Sequence, residues 1–216
     1  SEYVVNSITP DMTAARLTNM LSETCKQLYM NKPGDDTTIA TVKIVSRKNV
    51  CLYSGPPMDK SCDERLVTEF MIPEGKKIVC GGSSANIVSR VLKQPLMPSI
   101  EYSDPEIPPT ATIAGIDLVT EGVITLKRTV DILKSYVENP TGKEVLASLD
   151  LKNGASQIAK MLIEDCTHLY LYIGQSINPA HQNPDLPFDL SIKMIILDEL
   201  YSLMIKLGKV VKRYYY

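Results

Sequence analysis

Short apolar runs alternate with helical patterns along most of the chain. Near the start, Ala14, Leu17, Met20, Leu21 and Leu28 recur at helical spacing. Thr9 is the expected cap of that helix, Pro10 its first position, and Asn31-Lys32-Pro33-Gly34 its end. Residues 39–44 alternate apolar and polar, which predicts a strand. Residues 50–53 predict a second strand, and residues 63–72 a helix with Leu66, Val67, Phe70 and Met71 inward. A third strand at 78–80 runs into Gly81-Gly82. Behind it lies a helix with Ile87, Val88, Val91 and Leu92 on one side and Ser83 or Ser84 as cap. The prolines between 93 and 109 predict a connecting loop. Further on come an apolar run at 110–116, a polar stretch at 117–122 and a helix at 123–137. A helix at 155–166, a strand at 169–173, a loop at 175–187, a long helix at 190–207 and a strand-like end at 209–216 complete the series.

Strands alternating with helices of this length predict an α/β fold. The expectation is a mainly parallel, Rossmann-like sheet with helices on both faces, without the GxGxxG dinucleotide fingerprint. A short helix-strand piece precedes it. The expected division is residues 1–49 and residues 50–216.

Charge narrows the function classes. The 216 residues carry 23 Lys and Arg against 25 Asp and Glu, a formal net charge of −2. There is no basic stripe for nucleic acid. The five cysteines form no CxxC pair, which points to a reducing, cytoplasmic setting. No apolar run reaches membrane-spanning length, and no signal peptide is recognisable, so a soluble chain without membrane contact is expected.

The candidate chemistry follows from the sheet. In open α/β sheets ligands sit beyond the carboxyl ends of the strands. Loops at 54–57, 81–86, 117–122 and 174–184 should therefore face one crevice. Gly81 and Gly82 allow close backbone approach, and with Ser83 and Ser84 they open a helix whose first N–H groups suit a phosphate or carboxylate. An ordinary strand-to-helix connection is the alternative. Asn86, Asn178, Gln182 and Asn183 would add neutral hydrogen bonds. His181 could bind ligand or move a proton, or stand as a surface histidine. Thr120-Glu121-Gly122 places a carboxylate either on a ligand or at the start of the next helix. His168, before a buried strand, reads as structural.

Asp35 and Asp36 are adjacent carboxylates, which a bound cation would favour; a polar turn is the alternative. Here a family resemblance enters. The helix, the motif Lys-Pro-Gly-Asp35-Asp36-Thr-Thr38 and the short strand, over about residues 9–46, resemble the C-terminal end of bacterial SpoIIE-type serine phosphatases of the type 2C superfamily. The resemblance implies a parent that uses Mn²⁺ or Mg²⁺ to hydrolyse phosphoserine or phosphothreonine in a protein substrate, with Asp35 as a metal ligand and Asp36 beside it. The family's other metal aspartates, in G-D and S-D-G motifs, are absent, so the expectation is a fragment of a phosphatase, inactive alone. Gly-Gly-Ser-Ser-Ala-Asn-Ile, Ile-Asp-Leu-Val-Thr-Glu-Gly and Ile-Asn-Pro-Ala-His-Gln-Asn-Pro resemble the extension that follows the phosphatase domain in some anaerobe-type members. The leading expectation is a regulatory module that senses a small anionic or polar ligand. The alternatives are an enzyme in its own right, acting on a phosphorylated or carboxylated metabolite through Glu121 and His181, and an oligomerisation platform, such as a homodimer, using Tyr214–Tyr216.

Overall fold

The computed structural model describes residues 2–32, 34–99, 108–176 and 192–216. Seven strands form one mixed, mostly parallel sheet in the order β3-β4-β5-β2-β1-β6-β7. They are β1 Asn49–Ser54, β2 Lys76–Cys80, β3 Met97–Pro98, β4 Ala111–Thr112, β5 Leu118–Thr120, β6 His168–Ile173 and β7 Val210–Tyr215. The five strands β5, β2, β1, β6 and β7 are parallel neighbours, and β4 pairs antiparallel with both β5 and β3.

The helices are α1 Glu2–Ser7, α2 Ala14–Leu28, α3 Asp63–Met71, α4 Gly82–Leu92, α5 Val123–Glu138, α6 Lys143–Ser148, α7 Gly154–Glu164 and α8 Ile192–Lys206. The central strands are apolar at nearly every position because both faces are covered. Their alternation sorts side chains into two cores. Val50, Leu52, Ile78 and Leu171 pack with α5, α6, α7 and α8 on one face. Cys51, Tyr53, Val79 and Tyr172 pack with α3 and α4 on the other. There Phe70 stands between Tyr53 and Tyr172, ring centroids 5.9 and 5.5 Å away. No described helix is long and apolar enough to cross a membrane.

Three elements depart from the sequence expectation. The first long helix begins after Thr13, whose Oγ1 accepts the Arg16 N–H at 3.2 Å, rather than at Thr9; Thr9 instead closes a turn by accepting the Met12 N–H. Residues 39–44 are extended but form no strand. No neighbouring strand pairs with them among the described residues, and Val42 and Ile44 are 91% and 96% exposed. The run at 110–116 holds only the two-residue antiparallel β4, and the parallel strand lies beyond it at β5. Gly115, at φ +87°, turns the chain after β4. Asp117 then locks the next residues onto β2 by giving its N–H to the Lys77 carbonyl and accepting the Lys77 N–H on its carboxylate. The helices α1 and α6 and the strand β3 were not expected.

The strand order fixes where the chain can build a site. From β1 it steps through β2 to β5 on one side, then crosses to β6 and β7 on the other. The chain leads from β1 to α3 on one face of the sheet and from β6 to α8 on the other, and the carboxyl edge at such a switch point is where α/β sheets open a crevice. The exits of β1 and β6 are tightly apposed. Gly174 gives its N–H to the Ser54 carbonyl at 3.1 Å. A side chain on Gly174 would collide with the carbonyl oxygens of Gly55 and Pro56.

Candidate functional site

A crevice of about 220 Å³ lies at that edge, lined by residues 54–56, 80–84 and 121–123 together with Ser176 and Lys193. Contributions thus come from the ends of β1, β2, β5 and β6, and from the first turn of α8. The four loops expected to converge do so in their described parts.

Gly81, at φ +110°, makes the turn out of β2, and its N–H donates to the Thr120 carbonyl at 2.9 Å. A side-chain carbon on Gly122 would stand 3.4 Å from the Gly81 Cα, so α4 and α5 begin side by side. Both helices have a glycine at the N-cap and no side-chain cap. In α4 the first N–H bonded within the helix is that of Ala85, to Gly81. The N–H groups of Gly82, Ser83 and Ser84 therefore precede the ladder and carry the positive end of the dipole.

The two serines line the crevice but do not cap α4, contrary to expectation, because the helix starts one residue earlier at Gly82. Ser83 is exposed. Ser84 is buried, and its Oγ accepts the Gly55 N–H at 2.8 Å, tying the β1 exit to the β2 exit. Glu121 lines the crevice and also accepts the Gly122 N–H on Oε2 at 2.5 Å, so its carboxylate is fixed at the start of α5. Thr120 is buried in the sheet; its hydroxyl donates to the Glu121 carbonyl at 2.9 Å and does not line the crevice. Asn86 is exposed on α4 and does not line the crevice either. Asn178, His181, Gln182 and Asn183 lie outside the described residues. His168 opens β6 at the opposite edge of the sheet, where its Nδ1 is 2.9 Å from the Thr167 hydroxyl.

Lys193 was not anticipated. Its Nζ donates to the Gly174 carbonyl at 2.5 Å and, at 3.4 Å, to that of Ser176. Burial pulls its pKa below the ordinary lysine range, and no acid among the described residues offsets that loss of hydration. One sequence signal existed: a lysine in the first turn of a helix opposes the helix dipole and calls for a reason. Cys80 also lines the crevice, but burial pushes its thiol up to about 12, so it is an inert neighbour rather than a nucleophile. Chemically, the described lining of the crevice offers free helix N–H groups, an ammonium and a carboxylate.

Asp35 and Asp36 lie far along the chain from these loops, in an exposed turn where Asp35 Oδ1 accepts the Asp36 N–H at 2.8 Å. That is the polar-turn arrangement. Among the described residues no group of three or more His, Cys, Asp or Glu side chains is placed to hold a metal. The two carboxylates fall short of the ligand set that a pair of divalent cations needs. Compared with protein-family models, curated proteins and solved structures, the chain has no match.

Proposed function

We propose that residues 50–216 form a ligand-binding regulatory module, Rossmann-like in its strand order, that takes a small anionic or polar ligand at the carboxyl edge of the sheet. Its parent, on the sequence resemblance, is a metal-dependent serine/threonine protein phosphatase of the SpoIIE type acting on a phosphorylated protein. The observation that carries the ligand-binding reading is the convergence of the β1, β2, β5 and β6 exits with Lys193 on one crevice.

Two features support a role for residues 1–49 as part of a larger catalytic unit. The helix α2 is amphipathic, yet none of its residues is buried. The extended segment beside it exposes Val42 and Ile44. Both are what an element missing part of its core looks like. A physical link joins this piece to the crevice. Gly154 at the start of α7 packs against Thr120, the neighbour of Glu121, and Glu164 at the end of α7 pairs with Arg16 of α2.

The test is a thermal-shift screen of the full chain against phosphate, nucleotides, phosphorylated sugars and carboxylic acids. A ligand at 100 times its Kd stabilises by about 2.7 kcal/mol. For a chain of this size that raises Tm by roughly 5–10 °C. A flat response across all four classes would overturn the reading.

A further inference from the structure

The crevice holds two opposite charges that do not meet. Among the described residues Lys193 donates only to backbone carbonyls. Glu121 accepts only a backbone N–H, on Oε2. Both line the same crevice, yet they form no ion pair with each other, and neither pairs with any other charged side chain among the described residues. Ion pairs are common elsewhere in the chain, as at Arg16–Glu164 and Arg213–Asp198. A half-buried ammonium without an acid lowers stability unless something supplies the missing charge. Buried charges without a charged partner cluster at functional sites, and this one lies in a cleft.

We propose that the crevice binds a small zwitterion, its carboxylate against Lys193 and its ammonium group against Glu121. This assignment rests on the ligand-binding reading of the module and names its ligand class. Charge balance selects among the anions that reading allows. A phosphate dianion on Lys193 leaves excess negative charge beside Glu121. A simple carboxylate satisfies Lys193 and leaves the glutamate unpaired. An amino acid neutralises both groups at once. The free N–H groups of Gly82 and Ser83 add further donors to the crevice. Glu121, anchored through Oε2, keeps Oε1 for the ammonium. Size agrees: about 220 Å³ is below the 300–1,000 Å³ or so typical of drug-sized ligands, and suits a molecule of a few heavy atoms.

The test uses NMR titration of the full chain with glycine, β-alanine and 4-aminobutyrate, three zwitterions of increasing charge separation. Acetate, methylammonium and inorganic phosphate serve as the single-charge controls. The expected result is that the best-matched amino acid binds at least about tenfold tighter than acetate, the margin of a charge-assisted hydrogen bond. E121Q should erase that margin without weakening acetate, and K193M should weaken both. Glu121 is exposed, so E121Q keeps the assignment testable even where K193M fails to fold. Phosphate or acetate binding as tightly as the best amino acid would overturn the zwitterion while leaving a ligand-binding module. An unchanged margin in E121Q would do the same. No response to any of the six probes would also overturn it, and the broader screen then decides separately whether the crevice binds ligand at all.

Discussion

Arg16 is the residue through which the α2 piece is tied to the α/β module, and removing its charge should release α2 alone. Its guanidinium reaches Asp150 with two bonds of 2.8 and 2.9 Å and Glu164 with one of 2.5 Å. The Glu164 side chain is 12% exposed, so that pair is shielded from solvent, whereas Asp150 is 47% exposed and its share is discounted accordingly. Together they are worth about 2 kcal/mol of docking free energy. None of the helix's residues is fully buried, and 15 residues make a marginal helix in isolation. Arg16→Met keeps the aliphatic stem and removes the charge. Hydrogen exchange at neutral pH should then show α2 amides losing roughly thirtyfold in protection, the equivalent of about 2 kcal/mol, while amides of β1, β2 and β6 keep theirs. Equal acceleration in the sheet would refute the reasoning, because α2 would then be an integral part of the module's cooperative unit. Unchanged α2 exchange would refute it too, leaving the bond from Asn19 to the Thr141 carbonyl as the main attachment.

The same contact carries a pH dependence with a definite sign. Hydrogen bonding from Arg16 draws the Asp150 carboxyl below its ordinary range, against the opposing effect of burial, with Lys160 assisting. A depressed folded-state pKa contributes stability that is present above the unfolded value, about 3.9, and lost as pH falls through the folded value. Docking of α2 should therefore be constant from pH 5 to 8 or so and weaken below about pH 4. NMR shifts of α2 followed across that range should show this in the wild type, and R16M should lack the transition.

Gly82 lines the crevice, lies outside the left-handed region, and has no heavy atom within 4 Å of where a side-chain carbon would sit. Gly82→Ala should accordingly hold or raise Tm, by about 0.4–1 kcal/mol of stability, yet weaken ligand binding in titration; Gly81→Ala, at φ +110°, should lose about 1–3 kcal/mol instead. Cys51, Cys80 and Cys166 are buried, and burial pushes the thiols of Cys80 and Cys166 up to about 12, so only Cys25 and Cys62 should react promptly with a thiol reagent in the native chain, with all five reacting after denaturation. Asp35 and Asp36 alone do not complete a two-metal site, so the chain should not hydrolyse a phosphoserine peptide with added Mn²⁺; measurable turnover would overturn that reading of the metal ligands.

Most of the fold was legible because the central strands are buried on both faces. The apolar runs at 50–53, 78–80 and 169–173 leave little choice of structure, and the helices after them show their stripes plainly. The failures come where partners decide. Residues 39–44 have the alternation of a strand and lack a neighbour to pair with among the described residues. The strand β5 has only three residues and is set by the bonds between Asp117 and Lys77, which periodicity cannot register. The site divides in the same way. Its glycine turn was legible because glycines and serines at a strand end have few uses, and parallel topology then brings four loop regions to one edge. Its charge pattern was not, because Lys193 enters from a helix start more than a hundred residues after Gly81. Lys193 and Glu121 line one cavity without pairing there. On the zwitterion proposal they set both the sign and the spacing of what fills it, a requirement stricter than anything the glycine turn imposes alone.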